Sequence, residues 1–132
     1  MIVRFFDRQH PDNPLNGRSF EDFDSLITIL NPTKHEHPFF CELIGQNDYK
    51  ILIGVGDPWS CSQYSREDGN PPYLMALHSE VNEDGNDLEF LIGYTLTPVP
   101  YRFRLSRSQL EEIVRYFIET GKCAPNFRWE EI

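Results

Sequence analysis

Two apolar runs, residues 39–45 and 49–56, are separated only by Gln46, Asn47 and Asp48, and this pairing constrains the fold more than any other feature of the chain. A connection that short lets the runs meet as the two antiparallel arms of a hairpin. In the second run Tyr49, Ile51, Ile53 and Val55 alternate with Lys50, Leu52 and Gly54, so the first set lines one face of a strand. Residues 2–6 read as an edge strand. Residues 73–80 and 89–96 read as a second hairpin, with Asp84-Gly85-Asn86-Asp87 at its tip and Pro98 and Pro100 ending the unit.

Helical spacing occurs twice. Phe20, Phe23, Leu26, Ile27 and Leu30 recur on one face, after Ser19 as a cap with Asp22 three positions on, and Pro32 stops the pattern. Ser106 and Gln109 form a capping-box pair ahead of the stripe Leu110, Ile113, Val114, Phe117 and Ile118, and Gly121 supplies a left-handed stop. The interval 57–72 contains Pro58, Gly69, Pro71 and Pro72 and reads as a long loop of the kind that carries function. These elements sum to an α+β fold: an antiparallel sheet of four to five strands built from hairpins, with two helices packed on one face, in one domain over residues 1–132.

Composition narrows the function. Hydrophobic residues at 39% and aromatics at 14% exclude a disordered chain. Apolar runs fall short of the ~20 residues of a membrane span, and residues 1–7 lack the apolar region of a signal peptide, so a cytoplasmic protein without a membrane partner is expected. Twenty-one acidic against twelve basic residues leave a net charge of −9, which repels nucleic-acid phosphates and argues against direct binding to them. The excess is concentrated in residues 61–100, at −6, where it suits the capture of a basic partner protein.

Cys41, Cys61 and Cys123 are odd in number and match no zinc spacing, so reduced thiols are expected. Neither a metal nor a cofactor is expected. His35 and His37 flank Glu36 at a spacing that suits two ligands on an extended segment, but neither His10 nor His78 is specified as a third. Gly54-Val55-Gly56 is not followed by a phosphate cradle, and adjacent carboxylates such as Glu67-Asp68 and Glu111-Glu112 point apart. The alternative classes are a small thiol or metal-dependent enzyme using Cys61 and a histidine, for which no local signature exists, and a non-enzymatic adaptor. The candidate contact residues are acids and aromatics of the long loop and the second tip: Asp57, Trp59, Tyr64, Glu67, Asp68, Glu83, Asp84 and Asp87. Trp129 reads first as an anchor that ties down the carboxyl-terminal tail.

The capped helix opens at Ser106 and ends Tyr116-Phe117-Ile118-Glu119-Thr120-Gly121, and a short loop with Pro125 leads to Phe127-Arg128-Trp129-Glu130. Together with the hairpin arm ending Leu52-Ile53-Gly54-Val55-Gly56 and the Ser- and Tyr-containing stretch after it, residues 39–132 resemble the first-numbered immunity-protein family of bacterial polymorphic toxin systems. Phe117, Thr120, Gly121 and Trp129 carry the resemblance; Asp57-Pro58-Trp59 departs from it. The resemblance implies an α+β fold with a characteristic carboxyl-terminal tryptophan. It also implies a protein that is not an enzyme and neutralises, by binding, a toxin encoded beside it. Such toxins often carry nucleic-acid deaminase domains, whose basic substrate groove an acidic protein can occupy.

Overall fold

The computed structural model describes residues 1–31, 37–77 and 85–132. In chain order the elements among these residues are β1 (Val3–Asp7), β2 (Ser19–Phe20), α1 (Phe23–Ile27), β3 (Phe39–Ile44), β4 (Tyr49–Val55), β5 (Cys61–Arg66), β6 (Tyr73–Ala76), β7 (Leu88–Ile92), β8 (Thr95–Val99), a 3-10 turn (Tyr101–Phe103), α2 (Arg107–Thr120) and β9 (Trp129–Glu131). The sheet runs β2-β1-β3-β4-β5-β6-β9 with every neighbour antiparallel, while β7 branches off β3 in parallel at Phe39 and Leu91 and pairs β8 on its other side. The class is α+β as expected, but nine strands stand among the described residues where four to five were expected.

The first hairpin forms in the expected register, with Phe39 opposite Val55 and Ile44 opposite Lys50. Elsewhere the strands divide differently. The interval 57–72 is not one loop, because β5 occupies its middle and lies inside the sheet, paired with both β4 and β6. Its sequence, Cys-Ser-Gln-Tyr-Ser-Arg, lacks apolar alternation, yet Ser62 and Ser65 are buried small side chains that let neighbouring layers approach. The second hairpin is also regrouped. Residues 73–76 pair with β5 and with β9 near the carboxyl terminus, and residues 88–92 fold back on 95–99 instead. Residues 78–84 of the expected unit lie outside the described residues. Pro98 lies within β8 rather than after it, a position open to proline because β8 is an edge strand.

Helix α1 starts later than expected. Ser19 and Phe20 are extended and pair with Arg4 and Val3, so β1 lies inside the sheet with β2 as its edge. Asp22 then caps the helix, accepting from the Ser25 N–H at 2.8 Å. Helix α2 keeps both of its expected ends: the Ser106–Gln109 capping box, and Gly121 at φ +74°. Its first residue joins the two helices, since the Arg107 guanidinium donates to the carbonyls of Leu30 and, at 3.2 Å, of Ile27 at the end of α1.

One face of the sheet (Val3, Phe5, Leu43, Ile51, Ile53) packs against Phe23 and Leu26 of α1 and Leu110, Val114 and Phe117 of α2. Burying each such side chain contributes ~1.5–3 kcal/mol. The opposite face presents Phe40, Cys61 and Met75 to Phe90, Val99 and Phe103, so the β7–β8 hairpin and the turn after it cover that side. The hairpin tip is fixed to the opening loop of the chain: Gly93 N donates to Arg8 O at 2.9 Å and Tyr94 N to Gln9 Oε1 at 2.7 Å. That loop is organised in turn by the Asp7 carboxylate. Wholly buried, it accepts from Gln9 N, His10 N, His10 Nδ1 and Asn13 Nδ2 at 2.8–3.1 Å.

Candidate binding surface

Three chain segments converge at one end of the sheet. Gly56 turns the chain out of β4 so tightly that a Cβ there would meet Trp59 O at 2.5 Å. Ser60 and Leu105 then exchange two backbone hydrogen bonds of 2.8 Å, which bind residues 57–60 to the segment after the 3-10 turn. The third segment arrives at Gly85, where a Cβ would strike the Tyr101 ring, and continues through the exposed Asp87 and Glu89. Asp57, Pro58 and Trp59 share a small cleft of about 110 Å³ with Pro38, Leu88, Glu89 and Phe90.

Aromatic and cationic groups stiffen this end. The half-buried Trp59 meets Tyr101 edge to face at 6.4 Å, and the buried Arg104 guanidinium lies 4.0 Å from the Tyr101 ring centre and 5.2 Å from that of Trp59. Arg104 also donates to the Tyr101 carbonyl at 3.2 Å. The outer rim is acidic and exposed, with Asp57, Asp87 and Glu89, while the Arg104 guanidinium is buried. This arrangement suits recognition of a cationic protein surface: acids to steer, and an aromatic plane to bury.

The other candidate residues lie apart from this end. Glu67 and Asp68 follow β5, whose six residues carry them about 20 Å away from Asp57 and Trp59. Both are engaged in ion pairs, Arg4 with Glu67 at 3.5 Å and Arg66 with Asp68 at 3.1 Å. The Asn70 N–H first, and then Arg66, hold the Asp68 carboxyl below its ordinary value. Glu83 and Asp84 lie outside the described residues.

Tyr64 is a core residue, not a loop contact. Its ring stacks on Tyr49 at 5.0 Å and meets Phe117 and Trp129 edge-on at 6.2 and 6.4 Å, while its hydroxyl donates to Gly121 O at 3.0 Å. Burial pushes its phenol up to about 12. Of the four residues on which the resemblance is read, Phe117, Gly121 and Trp129 contact Tyr64, and Thr120 is exposed beside them. Phe117 is fully buried, Gly121 offers its carbonyl to both Tyr64 and Asn47, and Thr120 closes the helix end by donating to Tyr116 O. Trp129 begins β9 opposite Ala76 and donates its indole N–H to Ala124 O at 2.9 Å. Trp129 thus packs between the sheet and the end of α2 and anchors the carboxyl-terminal tail there.

Cys61 lies at the back of an apolar groove of about 230 Å³ between the sheet and the β7–β8 hairpin, lined also by Leu52, Met75, Val99 and Phe103. Burial pushes its thiol up to about 12, so it is not a thiolate at neutral pH. His10 contacts Asp7, His37 is exposed, and His35 and His78 lie outside the described residues. Among the described residues, no three His, Cys, Asp or Glu side chains are grouped to hold a metal ion, and no helix is long and apolar enough to cross a membrane.

Glu89, Tyr101 and Arg104 belong to this surface and were not expected there. Glu89 reads as an ordinary strand residue, and the other two depend on the Ser60–Leu105 pairing, which no local pattern encodes. No protein-family model matches the chain, and no curated protein is significantly similar to it.

Proposed function

We propose that this protein is an immunity protein that binds a cognate toxin of a bacterial polymorphic toxin system and blocks substrate access to it. The toxin is a basic protein acting on nucleic acid, of the deaminase type, and the immunity protein acts by binding rather than catalysis. It works in the cytoplasm, where its three free thiols stay reduced. The observation that carries the reading is the meeting of Asp57 and Glu89 with Trp59 in one cleft, with the exposed Asp87 two residues before Glu89, in a chain of net charge −9. Such a rim competes with phosphates for a basic groove and speeds the encounter. The resemblance of residues 39–132 supplies the partner class.

The test is co-expression with the product of the adjacent gene, read by growth and by affinity capture. Restored growth together with a stable complex is expected. A harmless neighbour that this protein does not capture overturns the reading.

A further inference from the structure

The β7–β8 hairpin carries a feature that its own folding does not require. Its two-residue connection places Gly93 at φ +54° and Tyr94 at φ +67°, the pair of left-handed conformations that a tight hairpin turn demands. Glycine or asparagine satisfies the second position without strain, and a bulky aromatic residue does not. Tyr94 is nevertheless there, with 73% of its surface exposed. Its backbone is held from beneath by Gln9 and Arg8, so the ring is displayed on a rigid support.

The rest of the hairpin points the same way. Residues 90–101 are twelve consecutive residues without a charge, in a chain where one residue in four is charged. Cross-strand pairing puts Glu89 opposite Pro98 and Leu91 opposite Leu96, so these four share the face directed away from the sheet. Leu96 is 53% exposed on that face. Glu89 of the acidic rim lies on this face, and the turn that carries Tyr94 follows about 15 Å further along the hairpin.

We infer that this outward face is the second half of the toxin-binding surface, with Tyr94 and Leu96 as its apolar contacts. The inference rests on the proposed function and assigns it a site. The occupant is an uncharged, apolar segment of the toxin beside its basic groove. A charged segment set against this uncharged stretch would lose water without gaining a partner, whereas a neutral one matches it. Acids at one end set the rate of encounter; the apolar end sets the lifetime of the complex.

The experiment uses Tyr94→Gly and Leu96→Asp in the full chain, with the purified adjacent-gene product as the probe and binding kinetics at low and high salt. Tyr94→Gly relieves the turn, so its melting temperature should equal or exceed that of the parent protein. Its complex should dissociate at least about tenfold faster, by the same factor at both salt concentrations. Leu96→Asp should give a similar loss. If the parent protein binds and both variants bind within twofold of it, the hairpin site is wrong while the immunity reading stands. If the parent protein does not bind, both fall together.

Discussion

Tyr64 and Trp129 are both aromatic, both near acids in the sequence, and both committed to the same interior cluster. Trp129→Ala removes a large ring and the bond to Ala124, and should cost about 3–5 kcal/mol of stability. Thermal melting checks this, and binding to the proposed toxin should fall only as far as unfolding explains. Tyr64→Phe is milder: it loses one buried hydrogen bond while Asn47 still serves the Gly121 carbonyl, at about 1 kcal/mol. Asp7 gives a prediction in pH. Burial alone would raise its carboxyl, but hydrogen bonds from His10, Asn13 and Gln9 outweigh burial and hold it below its ordinary value. A depressed folded value means the stabilisation is present above about pH 4 and is lost as the pH falls toward it. Asp7→Asn should therefore cost about 2–3 kcal/mol at pH 7, because its amide cannot accept all four donors. The gap between the two proteins in melting temperature should be full at neutral pH and narrow progressively as the pH falls below about 4.

Among the elements, those with their own local signals form where the sequence says. Helix α2 carries a cap, a stripe and a stop, and the β3–β4 hairpin carries alternation and a short turn. Ser106→Ala should cost about 1 kcal/mol through the lost cap. Gly121→Ala should cost about 1–2 kcal/mol, since a side chain is strained at φ +74° and its Cβ would press on the Asn47 amide. The elements that the sequence hides take their structure from partners. Strand β5 is half serine and glutamine and becomes a strand because β4 and β6 pair with it on both sides. Strands β2 and β9, with two and three residues, exist only through β1 and β6. The binding surface divides similarly. The acids and Trp59 were legible as residue types, but their meeting at one end depends on the Ser60–Leu105 bridge, and the strain at Tyr94 has no trace in composition.

At the scale of the whole molecule, the accessible surface of 7165 Å² matches the ~7,200 Å² expected for a compact chain of 15.5 kDa. Glu67, Asp68 and Glu130 are engaged in ion pairs, whereas Asp57, Asp87 and Glu89 are among the exposed acids that are not, and in the proposed reading these three face the partner. Reversing those three to lysine changes the net charge from −9 to −3. Association with the proposed toxin should slow by about tenfold or more at low salt and by much less at high salt, with the dissociation rate little changed. The central claim is inhibition by occupancy, and the most direct measurement is a titration of the purified adjacent-gene product, reading its activity on nucleic acid as this protein is added. Activity should fall in proportion to the protein added and vanish near one equivalent. Activity that persists at tenfold excess would contradict the account.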